Sequence, residues 1–138
     1  MLHNYDLVVI GCGPAGEKGA VAAAVLGKRV ALVEKSSFVG GASANTGTLP
    51  SKTLRETALA LSGFRTRNLY GVDLSVRRET TIRDLMHHEE QVKLSERERV
   101  ANILRRFGVE LFQGTASFVN PHTIQMDDHQ LIGKKILI

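Results

Sequence analysis

Hydrophobic positions fall into short blocks whose period changes along the chain. Residues 5–10 (Tyr-Asp-Leu-Val-Val-Ile) hold a β-branched apolar run. Such a run, lacking alternation, predicts a strand covered on both faces, as in a parallel sheet. Ala20, Ala22, Ala23, Ala24 and Leu26 then mark an Ala-rich helix that Gly27 closes, and residues 29–34 form a second strand ending in an acid. Residues 50–63 predict a helix with Leu54, Ala58 and Leu61 on one face, entered through Pro50 in its first turn. A longer helix is predicted over 80–107, where Ile82, Leu85, Met86, Val92, Val100, Ile103, Leu104 and Phe107 recur at near-helical spacing, with a thinly apolar middle at 87–99. Between the helices, residues 64–78 read as a polar connection containing Tyr70-Gly71-Val72. Residues 108–118 open a β region, 123–126 and 130–132 predict a hairpin around Asp127-Asp128-His129, and 134–138 predict a buried strand. The pattern is that of one α/β domain across 1–138, with a parallel sheet and a small β-meander or hairpin. It reads as incomplete at the C-terminus, since the chain stops inside an apolar strand.

Composition narrows the class. The 138 residues are 43% hydrophobic and 23% charged, which excludes disordered and low-complexity chains. One cysteine excludes a disulfide scaffold or a Cys-rich zinc module. His87 and His88 project about 100° apart on a helix and read as a solvated face, and His3, His122 and His129 are isolated in sequence, so no metal site is expected. The net charge is +4, but 11 basic and 8 acidic side chains interleave over residues 55–106, the pattern of a solvated helix rather than of a phosphate-tracking groove. Aromatics make up 5% and Trp is absent, which argues against base stacking and nucleic-acid binding. No apolar stretch approaches the ~20 residues of a membrane span, and the first strand starts too early to leave room for a signal peptide. A cytoplasmic protein is expected.

The loop after the first strand carries the chemistry. Gly11-Cys12-Gly13-Pro14-Ala15-Gly16 is a G-x-G-x-x-G set between a strand and a helix, which makes the domain Rossmann-like. Gly11 would permit the tight turn, Gly13 would let backbone approach a pyrophosphate, and Gly16 would let helix and strand pack closely. Ala15 and Ala20 keep that helix slim. Phosphates would sit at the helix N-terminus. Glu34, 23 positions after Gly11, stands where an acid meets ribose hydroxyls. Lys35 reads either as a phosphate contact or as a solvated side chain, and Cys12 as a small buried residue. Residues 40–49 then form a Gly- and hydroxyl-rich helix entrance suited to a flat or anionic ligand.

Gly40-Gly41-Ala42-Ser43-Ala44-Asn45-Thr46-Gly47-Thr48-Leu49-Pro50-Ser51-Lys52 resembles the G-G-x-C-x-N-x-G-C-x-P-S-K segment of the flavoprotein pyridine nucleotide-disulfide oxidoreductases. Every fixed position matches except the two redox cysteines, replaced by Ser43 and Thr48, so no catalytic dithiol is expected in this chain and disulfide exchange is excluded from it. Gly47-Thr48-Leu49-Pro50-Ser51-Lys52 is similar to the variant found in the transhydrogenase branch of that family, which passes hydride between NADPH and NAD through its flavin. The resemblance implies FAD as the cofactor. It implies Glu34 on the adenosine ribose, and Gly41, Ala42 and Ser43 along the pyrophosphate and ribityl chain. Thr48 would lie beside the isoalloxazine ring, and Lys52 near flavin N5, where a cation stabilises the reduced ring. Lys52 also reads as an exposed first-turn lysine, though a cation at that helix end calls for a compensating partner. Residues 108–118 resemble the family's G-x-x-x-x-x-G-x-A-x-F strand, which places Thr115 and Ala116 against adenine; a plain strand is the alternative. The resemblance also implies NAD(P)H bound by a domain absent from this chain, and a homodimer for the longer protein. An FAD- or adenine-nucleotide-binding module without catalysis, or a ligand-free fragment, is the alternative for these 138 residues.

Overall fold

The computed structural model describes residues 2–66 and 81–138. The elements are β1 (Leu2–Ile10), α1 (Pro14–Val25), β2 (Val30–Glu34), α2 (Gly41–Asn45), α3 (Thr48–Thr66), α4 (Ile82–Arg106), β3 (Glu110–Gln113), β4 (Ser117–Asn120), β5 (Thr123–Met126) and β6 (His129–Leu137). The six strands form one sheet in the order β3-β2-β1-β6-β5-β4. β1 pairs in parallel with β2 and β6, and β2 with β3, while β4, β5 and β6 form the antiparallel meander.

The apolar run of β1 is covered on both faces, as its lack of alternation requires. Val9, Val30 and Leu32 pack with Ala20 of α1 and with Val100, Leu104 and Val109 on one face. Val8, Ala31 and Val33 pack with Ile124, Met126 and Leu131 of the meander on the other. Each such Val, Leu, Ile or Met side chain contributes about 1.5–3 kcal/mol on burial, against roughly 0–1 kcal/mol for exposed ion pairs such as Lys52–Glu56, so the apolar layers fix where the elements sit. α1 is locked further to α4 by the buried Glu17, which accepts from Arg99 at 3.0 and 3.1 Å. Burial raises the Glu17 carboxyl, but Arg99 and Lys18 outweigh burial and hold it below the ordinary range.

Several expectations change. In α4 the buried positions are Glu89, Val100 and Leu104, while Ile82 and Met86 are exposed, and the helix is capped by Thr81, whose side chain accepts from the Asp84 N–H. In α3, Leu54 turns inward as expected, joined by Thr53 and Thr57, but Ala58 is exposed, and the side chain of Leu61 lies outside the described residues. Thr57 Oγ1 donates to the Thr53 carbonyl at 2.8 Å, which satisfies its hydroxyl within the helix and lets the side chain turn inward. Residues 134–138 are not a separate buried strand. Residues 134–137 continue β6, which ends at Leu137 and is paired there with β1 alone, and Lys134, Lys135, Leu137 and Ile138 are exposed. The expected polar connection begins inside α3, and its Tyr70-Gly71-Val72 lies outside the described residues. His3 and His129, isolated in sequence, come together on β1 and β6 with ring centroids 5.6 Å apart, both beside Phe112. No group of three or more metal-ligating side chains forms among the described residues.

Candidate functional site

The parallel strands β1, β2 and β3 end together, and a groove of about 880 Å³ opens beyond their C-terminal ends. That is where ligands bind in open α/β sheets. Ile10, Gly11, Gly13, Val33, Glu34, Lys35, Gly41, Ala42, Thr115 and Ala116 line it, together with Ser36, Phe38, Asn45, Thr46, Arg97 and Gly114.

The floor is backbone. Gly11 turns at φ +95°, a conformation that side-chain-bearing residues rarely adopt, and its N–H donates to the Val33 carbonyl at 2.7 Å. A Cβ on Gly11 or Gly13 would meet nothing within 4 Å, so both face open groove. Gly13 caps α1 with no side chain bonded to the first turn, and Pro14 takes the first helical position, where a missing N–H costs least. Ala15 and Gly16 lie in that first turn and do not line the groove; a Cβ on Gly16 would run into the Gly11 carbonyl oxygen. Opposite, Gly41 turns at φ +57°, and a Cβ there would sit 2.8 Å from Gly13 Cα. The Gly40 N–H donates to the Cys12 carbonyl at 2.8 Å, which ties the two glycine turns edge to edge. These turns leave exposed peptide groups and the positive end of α1 toward a cradle with no Cβ in it. The arrangement fits an anionic diphosphate.

Glu34 closes one end. Its carboxylate is 7% exposed and accepts the N–H groups of Cys12 at 2.7 Å and Ser36 at 2.8 Å. Both oxygens keep a lone pair for a further donor such as a ribose hydroxyl. Cys12 is fully buried, and burial pushes its thiol up, so it is a packing residue and not a nucleophile. Lys35 is exposed at the rim. The chain between β3 and β4 leaves the sheet at Gly114, whose N–H donates to the Glu34 carbonyl at 2.9 Å, so Thr115 and Ala116 sit on the groove wall rather than in a plain strand.

The remaining residues singled out in the sequence lie elsewhere. Ser43 is half-buried in α2, Gly47 donates its N–H to the Ala42 carbonyl at 2.7 Å, and Thr48 is exposed at the start of α3; none lines the groove. Lys52 is exposed, and its compensating partner is Glu56 one turn on, at 3.8 Å. Conversely, Phe38, Asn45 and Arg97 line the groove without having been read from sequence. The Arg97 guanidinium lies 3.7 Å over the Phe38 ring, and its Nε donates to Asn45 Oδ1 at 2.6 Å. Asn45, a fixed position of the glycine-rich segment, carried the one available signal.

A family model described as FAD dependent oxidoreductase matches residues 6–124. The chain belongs to that family. It is 46% identical over 127 residues to a soluble pyridine nucleotide transhydrogenase of Mycobacterium bovis (strain BCG / Pasteur 1173P2), covering 92% of this chain and 27% of that protein. A soluble pyridine nucleotide transhydrogenase of Chromohalobacter salexigens is 37% identical over 129 residues, 94% of this chain and 28% of its own length. Among solved structures, the HOCl-induced flavoprotein disulfide reductase RclA from Escherichia coli matches with a TM-score of 0.78 at 28% identity, over 96% of this chain and 27% of that one. The chain therefore spans under a third of the relatives it matches. Its α/β fold is like that of the FAD domain of a flavoprotein disulfide reductase, and FAD is the cofactor of its family. No helix among the described residues is long and apolar enough to cross a membrane.

Proposed function

We propose that these 138 residues are the FAD-binding part of a pyridine nucleotide oxidoreductase of transhydrogenase type. The observation that carries this reading is the glycine turn Gly11–Gly13, facing open groove and interlocked with Gly40–Gly41, with Glu34 at the groove's end. Gly13, Gly41 and Ala42 would hold the pyrophosphate, Glu34 the adenosine ribose, and Thr115 and Ala116 the adenine. Bound there, the flavin supplies a hydride acceptor and donor; the chain's own part is to bind, orient and shield it.

Hydride exchange between NADPH and NAD, rather than disulfide reduction, is favoured by chemistry present on the chain. Cys12 is its one cysteine and is buried, and Ser43 and Thr48 hold no thiol. NAD(P)H binding, a homodimer and a cytoplasmic location belong to the longer protein in this reading. For the 138 residues alone, a binding module without turnover is favoured by their share of the relatives' length. The test is visible absorption of the purified chain after incubation with FAD and gel filtration. A retained oxidised-flavin band is expected, with no reduction of an artificial acceptor by NADPH. A protein that emerges colourless would sink the reading of this chain as a flavin module.

A further inference from the structure

We infer that Arg97 is a binding residue for the phosphate groups of the dinucleotide, reaching the groove from α4. This rests on the flavin-site reading above and adds to it a residue that lies outside both glycine motifs. Arg97 lines the groove with Gly13, Gly41 and Ala42. Its guanidinium is fixed on two sides, by the Phe38 ring under its face and by Asn45 at Nε. Asn45 is itself anchored to the turn: its Nδ2 donates to the carbonyls of Val39 at 3.0 Å and Gly41 at 2.8 Å.

Among the described residues Arg97 has no anionic partner. Arg29 is paired with Glu110, and Arg99 with Glu17 and Glu96. The partners of Arg97 among the described residues are a neutral amide and a ring, and no acidic side chain there pairs with it. A half-buried guanidinium with Nε engaged retains four N–H donors on its terminal nitrogens, in a planar fork that matches two phosphate oxygens. Glu34, the acid in the same groove, is already occupied by two backbone N–H groups. The charge of the site is thus divided, with an acid where hydroxyls are to be received and a rigidly held cation beside the glycine turns.

A residue that only braced the Asn45 turn would serve any ligand equally, whereas a phosphate contact distinguishes ADP from adenosine. FAD, ADP and adenosine are titrated into the unmodified chain and into Arg97→Gln and Arg97→Lys, by flavin fluorescence for FAD and by NMR shift changes for the other two. ADP and FAD are expected to weaken about tenfold or more in R97Q with adenosine unchanged, and R97K to recover part of the loss because it restores the charge without the fork. Equal weakening of ADP and adenosine, or an ADP affinity that does not change, would overturn the inference while retained FAD left the functional reading in place. Failure of the unmodified chain to bind either FAD or ADP would overturn both. R97K keeps the stacked cation, so it still decides the question should R97Q fold poorly.

Discussion

The carboxylate of Glu34 accepts the backbone N–H of Cys12 at 2.7 Å, across 22 residues of sequence. The last residue of β2 therefore holds the loop that leaves β1, and the acid expected to meet the ribose also shapes the turn expected to meet the pyrophosphate. Glu34→Gln keeps one acceptor but sets an amide donor against the N–H of either Cys12 or Ser36. A buried donor left without an acceptor costs about 1–3 kcal/mol. The expected outcome is a lower urea midpoint by that amount together with a loss of FAD affinity of about tenfold or more. An unchanged midpoint would show that the loop holds its shape without the carboxylate.

Gly13 and Gly16 sit three residues apart and make opposite demands. A Cβ on Gly13 enters open groove, and Gly13 has φ −78°, which any residue adopts. Gly13→Ala is expected to keep the fold within about 1 kcal/mol, the usual scale of an N-cap change, while filling the space a phosphate would take. Gly16→Ala drives a methyl into the Gly11 carbonyl. Moving α1 off β1 places its cost toward the upper end of the ~1–3 kcal/mol typical of overpacking. Denaturation curves and flavin retention measured on both variants should separate them: G13A folded but colourless, G16A destabilised. A yellow G13A would remove the pyrophosphate from that turn.

What could be read in advance was whatever is encoded locally. The strand–glycine–helix–strand order and the acid of Glu34 lie within about thirty residues, so their geometry follows from turn and cap chemistry. Pro50 at a helix start and Gly27 at a helix end are similarly local signals. Arg97 was not legible, because it lies 63 positions beyond Glu34 in a helix whose charges alternate in sign. Nothing in that pattern distinguishes Arg97, which lines the groove, from Arg99, which faces Glu17. His3 and His129 met for the same reason: β1–β6 pairing joins the two ends of the chain. Ala58 misled because helical spacing was counted on apolar residues alone, whereas α3 turns threonines inward.

At the opposite end of the strands, Tyr5 carries a pH dependence. Its hydroxyl donates to Glu110 at 2.7 Å, and Arg29 both binds Glu110 and lies 4.7 Å over the Tyr5 ring. Burial, then the hydrogen bond to Glu110, pushes the phenol up to about 12. In the unfolded chain a tyrosine ionises near 10. Between those values the folded state holds a proton that the unfolded state has released, so stability is full below pH ~10 and falls as pH rises toward ~12, by on the order of 2 kcal/mol. Glu110 works in the other direction. The Tyr5 hydrogen bond, with Arg29, outweighs partial burial and holds its carboxyl low, so its contribution is present above the ordinary carboxylate range and is lost on acidification. That acid-side contribution is small, since the Glu110 side chain is 44% exposed. Tyr5→Phe removes the ionising group but leaves the ring beneath Arg29 and the Arg29–Glu110 pair intact. Urea midpoints recorded from pH 7 to 12 are expected to fall steeply above pH 10 for the unmodified chain and distinctly less for Y5F. Parallel curves would show that the alkaline loss does not come from the buried phenol.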